Sequence, residues 1–270
     1  LTWKNRKGTK RMEKTKIEWT DSTWNPVTGC YHKCPYCYAR QIAERFGEYA
    51  QLDEINIKAI YGPDHRVCIE VANKTGNPYP EKFRPTLHRH KLTEYQKKKG
   101  RNIFVCSMAD LFGAWVPDEW IESVFAACLA APQHNYIFLT KNPARYIQLA
   151  KAGKLPRHNN FWYGSSVTGP HDKYSWFDEK YHWFLSVEPL LENLGEMDET
   201  ALKPEWIIIG AETGRRAGKV VPALEWIESI VNQCRKYKIP VFMKDSLADI
   251  WPHSLICEYP EELRKEDKAE

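Results

Sequence analysis

Apolar residues along this chain fall into short dense runs, separated by longer stretches in which they recur every three or four positions. The runs "KIEWT" (16–20), "NIFVCS" (102–107), "YIFLT" (136–140) and "FWYGSSV" (161–167) are rich in β-branched and aromatic residues and predict strands. "WFLSV" (183–187), "WIIIG" (206–210) and "PVFM" (240–243) continue the series. "YARQIAERFGEY" (38–49) predicts a helix ending near Gly47. Over 117–131 the spacing puts Ile121, Val124, Phe125, Cys128 and Leu129 on one helical face, and over 223–237 it does the same for Leu224, Ile227, Ile230, Val231 and Cys234. Arg235, Lys236 and Lys238 close that last helix, where cations meet the negative end of its dipole.

Strands buried on both faces and separated by helices imply parallel βα units. Six to eight such units predict an α/β fold, a full or partial parallel (β/α) barrel rather than an open doubly wound sheet. The chain has no G-x-G-x-x-G and no G-x4-G-K-[S/T], so the usual phosphate-cradling loops are missing. Residues 50–86 break the rhythm: "RVCIEV" (66–71) reads as a strand, while "NKTGNPYPEKFRP" is turn-rich and reads as an insertion or substrate-side loop. Without repeats, low-complexity segments or a linker, one barrel domain is expected over 17–256, between a basic arm (1–16) and a polar tail (257–270).

Polar residues gather where the strands end: "CSMAD", "TKNPAR", "SSVTG", "SVEPL", "GAETGRR" and "MKDS". In a parallel barrel all these ends open on one face, where active sites sit. The segment "GCYHKCPYCYAR" (29–40) follows the first expected strand and joins the same mouth.

Composition narrows the class. Of 270 residues, 43% are hydrophobic and 27% charged, the balance of a globular protein with a substantial core. No apolar run approaches a membrane span, and the N-terminal residues hold no stretch of signal-peptide type, so a cytoplasmic, reducing location is expected. Seven Lys/Arg against one Glu in the first sixteen residues carry most of the net charge of +4; such an arm either holds phosphate backbones or is a solvated tail. Met12 opens "MEKTKIEW" as an initiator would, so residues 1–11 read as an upstream extension or an expression remnant.

In that setting cysteines more often bind metal or react than form disulfides. Cys30, Cys34 and Cys37 lie within eight residues, spaced C-x3-C-x2-C, with no fourth cysteine nearby. A structural zinc ion wants four ligands; His32 is badly placed inside the loop, and only a distant Cys68 or Cys106 would close the set. Three thiolates on an iron–sulfur cluster instead leave one iron open.

C-x3-C-x2-C resembles the signature of the radical S-adenosylmethionine (SAM) superfamily, and Tyr36 matches the aromatic residue which that family places beside the SAM adenine. "IEWTDSTWNPVTGC", "SMADLFG", "LTKNPAR", "LSVEPLL" and "IIIGAETG" resemble a phage- and bacteria-associated radical SAM family, and several resemble spore photoproduct lyase. The resemblance runs from residue 17 to about 245 and implies a barrel of the radical SAM type, a [4Fe-4S] cluster on the three cysteines, bound SAM, and an external electron donor of flavodoxin or ferredoxin type. It implies reductive cleavage of SAM to a 5′-deoxyadenosyl radical that takes a hydrogen atom from substrate. It sets Ser107 and Asp110 near the methionine amine, Lys141 on the SAM carboxylate, Ser165 or Ser166 at the ribose, Glu188 at the mouth, and Cys106 as a hydrogen-atom donor. The common G-G-E stretch is missing.

Each position has a plainer reading. Lys141 reaches solvent, Asp110 and Glu188 cap helices, and Cys106, Cys128 and Cys234 are core. Glu212, Arg215, Arg216 and Lys244, with Asp245, either contact a substrate phosphate or form solvated turns. Trp24, Trp115, Trp162 and Trp176 either stack on a base or anchor the core. The expected substrate is a nucleobase or modified nucleoside, in DNA or free. The alternative is a zinc-stapled nucleic-acid-binding module without catalysis.

Overall fold

The computed structural model describes residues 15–264 apart from 54, 173 and 175–178. Most of the expected basic arm, the end of the tail and Trp176 lie outside the described residues. Seven strands form one all-parallel sheet: β1 (Ser22–Trp24), β6 (Asn102–Val105), β7 (Asn135–Thr140), β8 (Phe161–Val167), β9 (His182–Val187), β10 (Ile207–Ile209) and β11 (Val241–Met243), adjacent in that order. The sheet curls into a half-barrel with open edges at β1 and β11, a partial parallel barrel. A second sheet, in the order β2-β5-β4-β3, is built from β2 (Val27–Thr28), β3 (Ile57–Tyr61), β4 (Val67–Val71) and β5 (Thr86–His88). The strand expected at 66–71 is β4, so the irregular segment 50–86 folds as part of a second sheet rather than as a bare loop.

Helix α1 (Tyr38–Phe46) follows the cysteine loop, and α2 (Asp118–Leu129), α3 (Ala144–Lys151) and α4 (Leu224–Tyr237) fill three crossovers. Their apolar faces cover one side of the large sheet: Ile121, Val124, Phe125 and Cys128 of α2, Tyr146 and Leu149 of α3, and Ile227, Ile230, Val231 and Cys234 of α4 pack with Ile103, Tyr136, Tyr163, Leu185 and Ile207. Leu129 departs from expectation, being 44% exposed on the last turn of α2. The opposite, concave side holds Phe104, Ile137, Trp162, Phe184, Ile208 and Phe242. Alternation along each strand assigns neighbouring residues to opposite sides, so both sides are filled by apolar residues.

The N-terminal end of the half-barrel is plugged. "KIEWT", expected as a strand, is irregular; Trp19 inserts beneath the sheet against Phe104 and Trp206 at ring distances of 4.8 and 6.1 Å. Residues 257–264, expected as a polar tail, join the plug. The amide of Glu258 donates to the carbonyl of Val241 (2.8 Å), Tyr259 packs on Trp206 and Phe242, and Leu263 is 1% exposed. With these residues packed at that end, the C-terminal ends of the strands are left as the candidate entrance among the described residues.

Candidate functional site

The cysteine loop is pinned from three directions. Its entry is Gly29, whose amide donates to the Met108 carbonyl (2.8 Å) and whose φ of 82° suits glycine; a Cβ there would fall 2.2 Å from the Arg84 carbonyl oxygen. The Cys30 amide donates to Phe83 (3.1 Å), and the Tyr31 hydroxyl donates to the Val67 carbonyl on β4 (2.7 Å). His32 places Nε2 2.7 Å from the Asp110 carboxylate and its ring edge against Trp115 (4.9 Å). Cys37 ends the loop as the N-cap of α1, its sulfur accepting from the Arg40 amide at 3.3 Å. The loop is thus fixed before any ligand arrives.

The three thiols are free, partly buried and close enough to perturb one another. Burial pushes the Cys30 thiol far up, with the Asp110 charge and the other two sulfurs adding to it. Burial also raises Cys34, against the pull of Lys141. Among the described residues no group of three or more His, Cys, Asp or Glu converges as ligands for one metal ion. His32 is turned to Asp110, and Cys68 and Cys106 are buried in the main core. A multi-iron cluster takes its thiolates at separate corners, so the donor set (three thiols and no fourth partner) suits a cluster with an open iron better than a closed tetrahedral ion.

The strand ends supply the rest of the mouth. On the concave side Lys141 follows Leu139 of β7, and its ammonium donates to Ser166 Oγ of β8 (2.9 Å) while standing 5.4 Å from the Tyr36 ring centroid. Lys141 therefore ties the cysteine loop to the sheet and is anchored rather than trailing into solvent. One strand further, Ser186 lies beside Ser166 in register, 1% exposed, with no partner for its hydroxyl. Glu188 and Lys244 form an ion pair across Gly210, where a Cβ would stand 3.0 Å from Lys244 and 3.4 Å from Glu188. Both residues expected at the mouth are there, but they meet each other.

Other expectations need correction. Asp110 neither caps a helix nor offers a free carboxylate: it accepts from His32, the Phe112 amide (3.0 Å), Thr140 Oγ1 (2.7 Å) and the Lys141 amide (2.9 Å), which makes it the joint between the cysteine loop and β7. Glu188 caps no helix either; Pro189 follows it at a strand exit. Ser165 alternates to the helix-covered side, where it is buried with an unpartnered hydroxyl, so Ser166 alone faces the mouth. Ser107 contacts Asn25 Oδ1 (3.2 Å), and its carbonyl accepts from the Tyr38 hydroxyl (2.7 Å).

Cys106 directly follows β6 but is 2% exposed, packed in the main core, and burial pushes its thiol up to about 12. Glu212 is buried and accepts from Arg216 Nε (2.5 Å), while Arg215 is exposed, so an acidic partner occupies half of the expected phosphate clamp. Trp24, Trp115 and Trp162 are core anchors at 3% exposure or less, and none presents a face for stacking.

Asn25, Tyr38 and Asp172 were not foreseen. Asp172 receives the amide and hydroxyl of Thr168 (2.5 and 2.8 Å) and sits near Lys141; burial opposes its ionisation, but the Thr168 contacts and Lys141 hold its carboxyl below the usual range. Only Asn25, ahead of Pro26 in "TWNP", carried a sequence signal for a special turn. A cleft of about 450 Å³ lies elsewhere, along α4 among Glu196, Glu225, Glu228 and Lys236, and no strand-end residue lines it.

Fold and site define a partial parallel α/β barrel with a three-cysteine loop at the open end of its sheet. Residues 14–251 match the family described as "Protein of unknown function (DUF5131)", and the chain belongs to that family. No curated protein and no solved structure matches it. No helix among the described residues is long and apolar enough to cross a membrane.

Proposed function

We propose that this protein is a radical SAM enzyme whose [4Fe-4S] cluster is held by Cys30, Cys34 and Cys37. The observation that carries the reading is the presence of three mutually close, free thiols on a pinned loop at the C-terminal end of a parallel half-barrel sheet. Cys30, Cys34 and Cys37 would hold the cluster, which, charged by a flavodoxin- or ferredoxin-type donor, would supply the electron for reductive cleavage of SAM to methionine and a hydrogen-abstracting 5′-deoxyadenosyl radical.

The chain's own groups hold and orient. Lys141, fixed by Ser166 and lying over Tyr36, is the cation for the methionine carboxylate. Tyr36 offers its ring to the adenine, and Ser166 its hydroxyl to the ribose. Ser107 borders the amine position, and Asp110 keeps the loop and Lys141 in place from behind. The Glu188–Lys244 pair lies across the mouth, where polar substrate groups would meet it. The plugged far end keeps water from entering behind the reacting atoms. A nucleobase or modified nucleoside is the substrate class this reading favours.

Anaerobic reconstitution with iron and sulfide, reduction with dithionite and addition of SAM test it. About four irons per chain and release of 5′-deoxyadenosine, both lost in a Cys30→Ala/Cys34→Ala/Cys37→Ala variant, are expected. Zinc near one per chain and intact SAM would refute it.

A further inference from the structure

Helix α1 is built inside out. The residues it turns to the body are Ala39 (5% exposed) and Ala43 (0%), whereas its large residues Tyr38, Ile42 and Phe46, at i, i+4 and i+8, are 49%, 36% and 58% exposed. An amphipathic helix normally buries that stripe. Tyr49, 67% exposed just beyond the helix, prolongs it. Two cations lie on the outermost rings: the Arg45 guanidinium 5.1 Å from the Phe46 centroid and the Lys82 ammonium 4.6 Å from the Tyr49 centroid. Across the same segment Lys33, Arg40, Arg45 and Lys82 face Glu44 and Glu48, and Glu44 is engaged by Arg40 at 3.3 Å, so positive charge prevails. The stripe starts at the mouth, since Tyr38 follows Cys37 and its hydroxyl reaches the Ser107 carbonyl.

We infer that the outward face of α1 and Tyr49 form a binding strip for single-stranded nucleic acid, which leads an unpaired strand to the mouth. Such a strand needs ring faces for its bases and cations for its phosphates, and here two exposed rings each carry a cation over one face. The helix spans about 13 Å, room for several nucleotides at 3.4 Å per stacked base. An acidic protein surface would use the cations but has no call for the rings. Binding by the strip does not depend on a cluster; that the bound strand is the substrate rests on the proposed function.

The test is fluorescence anisotropy of a labelled oligo-dT of about 15 nucleotides with the full chain, without reconstitution. Expected are salt-dependent binding, a loss of roughly five- to a hundredfold on Phe46→Ala or Tyr49→Ala, little change on Tyr49→Phe, and a shallower salt slope on Lys82→Gln or Arg45→Gln. Arg45, Phe46 and Tyr49 are exposed and Lys82 is half-buried, so the variants should fold; circular dichroism checks this. No binding, binding indifferent to Phe46 and Tyr49, or equal binding of a duplex whose bases cannot reach the rings would overturn the inference. So would a flavodoxin-type protein whose binding is lost in the same alanine variants while oligo-dT binding is not. Intact SAM with strip binding present would instead sink the proposed function alone.

Discussion

His32 and Asp110 are 78 positions apart in sequence and 2.7 Å apart in space. Through that contact the C-x3-C loop is joined to the end of β7, because the same carboxylate also receives Thr140 and the Lys141 amide. One buried acid thereby sets the distance between the thiols and the lysine that faces them.

Asp110→Ala leaves buried donors on three segments without an acceptor and should destabilise the fold by about 3 kcal/mol. Asp110→Asn keeps one acceptor oxygen and should cost less. Urea unfolding gives both values, and equal stability of wild type and Asp110→Ala would contradict the joint described above.

Gly29→Ala combines left-handed backbone with a Cβ 2.2 Å from a carbonyl oxygen. The conformational part alone costs about 1–2 kcal/mol, and the clash forces Cys30 away from Phe83. Lower stability together with reduced iron uptake on reconstitution is the expected result.

Lys141→Met keeps length and loses charge. If Lys141 holds the carboxylate of SAM, 5′-deoxyadenosine formation should fall by roughly ten- to a hundredfold, the worth of one charged hydrogen bond. Iron content should change less, since Lys141 meets the loop at the Tyr36 ring and acts on Cys34 through its charge alone. A fall in iron instead would make Lys141 a support of the loop.

His182 at the closed end offers a pH test of the fold. Its Nδ1 lies 2.7 Å from Glu205, and that hydrogen bond raises the imidazole above its ordinary 6.5 against the effect of burial. A raised folded value stabilises the protein below pH 6.5, and the gain disappears as pH climbs through the raised value. The stability difference between wild type and Glu205→Gln should therefore be largest near pH 6 and smallest near pH 9. The effect should be modest, because Glu205 is 41% exposed.

Glu70 gives the opposite limb. Burial disfavours its charge, but Arg89 (2.8 Å), Trp120 Nε1 (2.8 Å) and Lys58 (3.0 Å) outweigh burial and hold its carboxyl below 4.5. That stability is complete above pH 4.5 and lost as pH falls through the lowered value. Glu70→Gln should be less stable than wild type at neutral pH by about 1–2 kcal/mol and should lose less on acidification, as acid titration followed by tryptophan fluorescence would show.

Local pattern was enough for much of this chain. β7 to β10, α2 and α4 declare themselves because strands filled on both sides and helices filled on one leave different periodicities, and those depend only on neighbours in sequence. The three cysteines, the polar strand ends and the polarity of the mouth were legible for the same reason. Long-range packing decided the rest. Trp19 has the look of a strand residue, yet it serves as a plug, because what buries it is Phe104 and Trp206. Ser165 and Ser166 cannot be told apart in a strand buried on both sides, since only the position of the helices says which side is the mouth. Asp110, Glu188 and Lys244 are chemically fit to bind ligands; partners distant in sequence, His32, Thr140 and Lys141 for Asp110 and each other for Glu188 and Lys244, engage them first. Sequence by itself determined which reactive and polar groups gather at one end of the sheet; tertiary structure alone decided which of those groups remain free, because a charge or hydrogen bond is satisfied by whatever the fold brings within about 3 Å.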